Sequence, residues 1–157
     1  MRAAILTLFL CAGLTPLAAR APESAPAKAG PFDPARDAAQ DLAAAQAEAR
    51  QTGRRILLEV GGNWCPWCRK LHAFWDANPD LKAQRDKAYV FLLVNFSPDN
   101  RNEPFLAKFP RVKGYPHCFV TDADGKLLQS QDTGVLEEGA GYSAAKIGAF
   151  LKAWAAR

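Results

Sequence analysis

The chain has 157 residues, nearly half of them apolar (49%), and carries a net charge of +4 without any basic run. That length holds one domain plus an extension, with a core large enough to do without disulfide staples. The modest, scattered charge argues against nucleic acid as a partner.

The chain opens with "MRAAILTLFLCAGLTPLAARA": one Arg, an apolar run from Ala3 to Leu14, then small residues. About a dozen apolar residues are too few to cross a hydrocarbon layer of ~30 Å, so 1–21 reads as a secretory signal peptide rather than an anchor. Cleavage is expected after Ala19 or Ala21. Cys11 follows bulky Leu10, where lipid attachment would need a small residue. Export removes Cys11 and leaves Cys65, Cys68 and Cys118. Exported proteins built on disulfides carry larger, even numbers of cysteines, so one close pair plus a spare thiol points to chemistry rather than scaffolding.

Residues 22–32, which include "PESAPAKAGP", are Pro/Ala-rich and aperiodic, and read as a flexible linker to a domain over 33–157. The next stretch predicts a helix with Asp33 as N-cap, Pro34 at its first position and Gly53 past its end. Ala38, Leu42, Ala45 and Ala49 share one face of it, suited to packing and not to chemistry.

"RRILLEVGG" predicts a buried strand from Arg55 to Val60, and "AYVFLLVNF" a second from Tyr89 to Phe96. Between them, Cys65 to about Arg85 fits one long helix or two short ones broken near "NPD" at 78–80. Strand, helix and strand at this spacing imply a parallel βαβ unit with a right-handed crossover. A linking helix is expected near "EPFLAKF". "HCFVTD" and "KLLQSQ" then predict a hairpin turning at Asp124-Gly125. The last helix, Ser143 to Ala155, has a Ser N-cap and sets Ile147, Phe150, Leu151 and Trp154 on one face.

Within this frame lies "GGNWCPWCRK", residues 61–70. By itself C-x-x-C suits zinc ribbons, haem attachment and oxidoreductases alike. Haem attachment needs His after the second cysteine, where this chain has Arg69. A metal site would take Cys65, Cys68 and His72, with His117 or Cys118 as the fourth ligand, types that suit Zn²⁺ or Cu⁺. Against it, one helix does not readily aim Cys65 and His72 at one ion, and His72 reads as a helix-surface residue.

Three stretches together resemble the thioredoxin superfamily across about residues 54–155. "ILLEVGGNWCPWCRK" resembles its strand and active-site segment, with Glu59 at the place of the family's buried acid, six residues before Cys65. "RVKGYPHCFVTDADGK" resembles its Gly-x-Pro turn, strand and Gly hairpin, and the third stretch is the closing helix. The resemblance implies an α/β thioredoxin fold, βαβ then ββα around a central mixed sheet, here with an extra N-terminal helix. It also implies a cis Pro116 facing a redox-active Cys65–Cys68 pair; a plain trans turn is the alternative. The chain departs from the family at Gly61-Gly62 before the Trp and at Pro66-Trp67 between the cysteines.

The resemblance makes Cys65 the nucleophile and Cys68 the resolving thiol of a thiol:disulfide oxidoreductase. A thiolate is what attacks a disulfide, and a helix starting near Cys65 would aim unpaired N–H groups and its dipole at that sulfur. Pro66 fits the first turn, where its missing N–H has no intrahelical partner. Trp64 would cover the pair, and Tyr115 with Pro116 would form the docking turn for a substrate strand. Cys118 reads as a small buried hydrophobe. Glu59, if buried and unpaired, is strongly disfavoured as a charge, so it would accept the proton that Cys68 loses on attack. The family's lysine partner is missing, since "VFLLVNF" offers Leu93 at the matching position. Alternatively Glu59 lies at the strand edge, paired with Arg54 or Arg55.

These expectations add up to a monomeric enzyme, periplasmic or secreted, that acts on protein thiols and disulfides. It would exchange electrons with a redox partner protein, in the membrane or free. No organic cofactor is implied. The opposing possibility is a binding module without catalysis that grips a partner or a copper or zinc ion through Cys65, Cys68 and His72.

Overall fold

The computed structural model describes residues 30–156. The expected leader and its Cys11, and the linker up to residue 29, lie outside the described residues.

The first helix, α1, spans Ala38–Thr52 and not the longer stretch expected from Asp33. Asp37 is its N-cap, accepting from the backbone N–H of Ala39 and Gln40. Asp33 instead closes a separate tight turn, accepting from Ala35 N at 2.9 Å. Both aspartates can cap; Asp37 does so because the backbone turns helical only after it. At the other end Gly53 adopts φ 70°, a left-handed cap that costs glycine little.

Strand β1 (Arg55–Gly61) pairs in parallel with β2 (Tyr89–Asn95), and antiparallel with β3 (His117–Thr121). Strand β4 (Leu127–Asp132) completes a mixed sheet of order β2-β1-β3-β4. β1 is thus a central strand, covered on both faces, and its run from Ile56 to Gly61 is buried throughout. Successive residues alternate between the faces. Ile56, Leu58 and Val60 pack in the α1 layer with Ala45, Ala49 and Phe119. Leu57 packs in the opposite layer with Leu71, Trp75, Cys118 and Ile147.

The crossover from β1 to β2 consists of two helices, α2 (Pro66–Ala77) and α3 (Pro79–Ala88). Between them Asn78 leaves helical geometry, with φ −128° and ψ 68°, because the ring of Pro79 crowds a helical residue before it. A single turn of helix, α4 (Glu103–Leu106), follows β2. The β3–β4 hairpin turns as expected at Gly125, φ 84°, with Asp122 Oδ1 accepting from Asp124 N and Lys126 N.

After β4 comes a short 3-10 turn (Thr133–Leu136) and a two-stranded ribbon, β5 (Glu137–Glu138) and β6 (Gly141–Tyr142). Strands of two residues leave no periodic pattern, so the sequence does not announce them. Tyr142 meets Trp67 and Phe74 of α2 edge-on. The closing helix, α5 (Ala144–Trp154), has Ser143 at its N-cap position, although the Ser143 side chain makes no capping bond. Ile147, Phe150 and Leu151 are buried, as the helical spacing predicts. Among the described residues no helix is long and apolar enough to cross a membrane.

Candidate active site

Three chain segments meet at the N-terminus of α2. Cys65 is the N-cap of this helix, with Pro66 following at its first position. Its extended backbone (φ −82°, ψ 118°) turns Sγ back over the helix end, where it accepts from Cys68 N at 3.2 Å. The sulfur is therefore the acceptor that serves the helix's open N–H groups, at the helix end where partial positive charge gathers. From the opposite side Cys65 Sγ donates to Tyr115 O at 3.4 Å. The Tyr115–Pro116 bond is cis, as expected. Thr133 Oγ1 holds the turn by donating to Pro116 O at 2.5 Å.

Cys68 lies one turn further in, and both cysteines are free, buried thiols. Burial is the largest influence on Cys68 and pushes its thiol far up; the hydrogen bond to Cys65 and the charges of Cys65 and Glu59 act in the same direction. Cys118 is likewise pushed up by burial and then by the charge of Glu59.

Composition places Phe32 in the linker, yet it is buried and packs with Cys65 and Cys68. Asn63 fixes it there, donating to Phe32 O at 2.7 Å and accepting from Phe32 N at 3.1 Å. Trp67, Leu93 and Tyr115 complete the surround. One large apolar residue ahead of a helix carries no pattern, so only its isolation in a Pro/Ala-rich stretch hinted at a role.

The two glycines that set this chain apart have specific neighbours. A Cβ on Gly61 would lie 2.6 Å from Cys68 Sγ and 3.0 Å from the Phe32 ring, and one on Gly62 would lie 2.7 Å from Phe96 O. Gly62 thereby leaves room for the Trp64 indole, which donates to Phe96 O at 2.6 Å. Trp64 is 47% exposed and meets Tyr115 edge-on, while Tyr115 stacks on Phe96. Trp64, Tyr115 and Phe96 form an aromatic surface beside Cys65.

Glu59 is fully buried in the middle of β1, not at an edge. Leu93 is its neighbour on β2, as the alignment of the strands predicts. Arg54 is engaged elsewhere, with Glu48 and the carbonyls of Asp86 and Tyr89, and Arg55 donates to Trp154 O. Glu59 nonetheless has a partner. His72 Nε2 lies 3.1 Å from Glu59 Oε1. His72 is thus not merely a surface residue, and Glu59 is not unpartnered. The sequence missed the pair because its members lie 13 positions apart on different elements. The usable signal was that Glu59 shares its sheet face with α2, where His72 follows Cys68 by one turn. Glu59 Oε2 is buried with no hydrogen-bond partner, a condition that costs about 1–3 kcal/mol.

His117 pairs with Val60 and Cys118 with Glu59 across β1 and β3, so these two side chains lie on opposite faces of the sheet. His117 faces away from α2 and meets Ser130 Oγ at 2.9 Å, which removes it as a fourth ligand beside His72. Among the described residues no group of three or more His, Cys, Asp or Glu is placed to hold a metal ion.

A mixed four-stranded sheet, a C-x-x-C at the start of the crossover helix and a cis-proline turn against its first sulfur define a protein of thioredoxin fold. Residues 37–123 match the thioredoxin-like family, and the chain belongs to it. A curated relative, the thiol:disulfide interchange protein DsbD of Klebsiella pneumoniae, is 27% identical over 112 residues; the match covers 71% of this chain but 18% of that protein. Among solved structures, a disulphide isomerase from Xylella fastidiosa Temecula1 is similar with a TM-score of 0.70 and 26% identity, over 81% of this chain and 98% of the other. The oxidised C-terminal domain of Neisseria meningitidis DsbD is similar in fold, with a TM-score of 0.56 and 19% identity over 75% of this chain and 96% of that domain.

Proposed function

We propose that this chain is an exported thiol:disulfide oxidoreductase that exchanges its Cys65–Cys68 dithiol with cysteines of other exported proteins. One observation carries the reading: Cys65 Sγ sits at a helix N-terminus, hydrogen-bonded to Cys68 N and lying against Tyr115 O of the cis-proline turn. In the reducing direction the Cys65 thiolate attacks a partner's disulfide and releases one of its sulfurs as a thiolate. Cys68 then attacks Cys65 in the mixed disulfide, closing the Cys65–Cys68 disulfide and releasing the second sulfur. Burial holds Cys68 in the thiol form, so its attack needs a base, and Glu59 takes that proton. Tyr115 and Pro116 dock the substrate strand, with Trp64 at its side. The names of the relatives, an interchange protein and an isomerase, fit such an exchange. The leader over 1–21 supports a periplasmic or secreted location, and a membrane or soluble protein would renew the spent pair.

Insulin reduction with dithiothreitol tests the reading. Turnover abolished by Cys65→Ser, with Cys68→Ser accumulating a mixed disulfide, is the expected result. Wild-type protein that fails both to reduce insulin and to oxidise a dithiol peptide would sink it. The reduction potential then assigns the direction of electron flow.

A further inference from the structure

We infer that His72 is the proton port of Glu59, a positioning residue that exchanges protons between the buried carboxyl and solvent and so frees Glu59 to take the proton of Cys68. The inference rests on the oxidoreductase reading above and adds the step that readies Glu59 for the proton of Cys68.

Glu59 is wholly enclosed, and any proton it already holds has to leave before it can take the one from Cys68. Among the described residues its carboxylate has one hydrogen-bond partner, His72 Nε2, since Oε2 has none. The His72 side chain keeps 21% of its surface exposed, against 1% for Glu59, so the imidazole bridges interior and solvent. Its place follows from the helix: Cys68 and His72 are one turn apart on α2, the helix lying over Glu59. Phe32 meets the imidazole edge-on at 5.5 Å between ring centres and confines it.

An imidazole suits this task because its two nitrogens can receive and release protons at different places. While Glu59 is ionised, Nε2–H donates to Oε1. When Glu59 holds a proton, it faces the Nδ1–H tautomer, so Nε2 accepts that proton as the Nδ1 proton goes to water, which leaves Glu59 ionised and ready for the proton of Cys68. The balance is complete: Cys68 gives its proton to Glu59, whose earlier proton has left through His72, and its electron pair to the new Cys65–Cys68 bond, while the partner's sulfur leaves with the pair of the broken bond. Re-reduction returns the proton from Glu59 to Cys68. The released thiolate takes its own proton from water.

Other ionisable groups face this pair. Cys65 and Cys68 lie on its helix, and Cys118 on β3 and Tyr142 on β6 both feel the charge of Glu59. Arg85 of α3 acts on Cys118. On α2 itself Arg69 and Asp76 flank His72, Arg69 being engaged with Asn63 O. None of them hydrogen-bonds Glu59.

Reduced full-length mature protein is mixed with 5,5′-dithiobis(2-nitrobenzoate) in a stopped-flow instrument between pH 6 and 9. The second thiol release reports attack by Cys68. His72→Gln and His72→Ala are expected to slow that phase about tenfold or more near pH 7, a small share of what general acid–base groups supply. His72→Gln keeps a hydrogen bond to Glu59 but cannot shuttle a proton, so its rate should lose the wild-type inflection with pH. Free imidazole should restore His72→Ala in proportion to its neutral form, which a purely structural role would not produce. If His72→Ala does not fold, the profile of His72→Gln decides. A second phase within twofold of wild type at every pH overturns the inference alone. A wild-type protein without a second phase overturns the oxidoreductase reading, and this inference with it.

Discussion

Cys68 Sγ occupies the place where a side chain on Gly61 would begin, 2.6 Å from the position of its Cβ, with the Phe32 ring 3.0 Å away. The glycine therefore belongs to the site even though it bears no chemistry. Gly61→Ala forces either the sulfur or the ring to move, and overpacking of this kind costs about 1–3 kcal/mol. Urea denaturation should show that loss, and the second thiol release should slow because the Cys68 sulfur is displaced. Unchanged stability and rate would mean that the strand shifts freely to admit the methyl group.

The three thiols should differ sharply in reactivity. Cys65 is served by helix N–H groups, whereas burial pushes Cys68 and Cys118 up. Iodoacetamide at pH 7–8 is expected to label Cys65 first in the reduced native protein, and Cys118 only after unfolding. Peptide mass spectrometry reads the order directly. Early labelling of Cys118 would show that the β3 layer opens far more readily than its packing implies.

Cys118 also sets a pH dependence of stability. Its proton is held more tightly in the folded protein than in the unfolded chain, since burial disfavours the thiolate. As pH climbs past the unfolded thiol's value of about 8.5, the unfolded chain loses this proton first. The fold is then stabilised less at each step, by up to about 1.4 kcal/mol per pH unit for one such group. Tyr89 and Tyr142, also raised by burial, extend the loss to higher pH. Denaturation between pH 7 and 11 should show the decline, and Cys118→Ala should make its onset shallower. An equal slope in both proteins would place Cys118 in contact with solvent.

Phe32 ties the segment ahead of α1 to the cysteine pair. Removing a buried aromatic ring typically costs about 3–5 kcal/mol, so Phe32→Ala should lower the unfolding midpoint substantially. It should also speed iodoacetamide labelling of Cys68, whose sulfur loses its cover. Lost stability without faster labelling would make Phe32 a packing residue alone.

Much of this protein is legible in its sequence because the signals are local. The apolar runs of β1 and β2, the glycine of the hairpin, the face of α5 and the proline that divides α2 from α3 act through neighbouring residues, and each element stands where its pattern placed it. The cysteine pair, the acid six residues earlier and the cis-proline turn were legible because they resemble one known arrangement. Tertiary structure decided the rest. Which of two aspartates caps α1 depends on where the segment held by Phe32 releases the chain. Phe32 itself reaches the site only through a partner 31 residues away. His72 finds Glu59 because α2 crosses the face of β1 on which every second residue points, whereas His117 is sent to the opposite face by the same alternation. A helix surface and a central strand each read as ordinary alone; packing one over the other gives the buried acid its route to water.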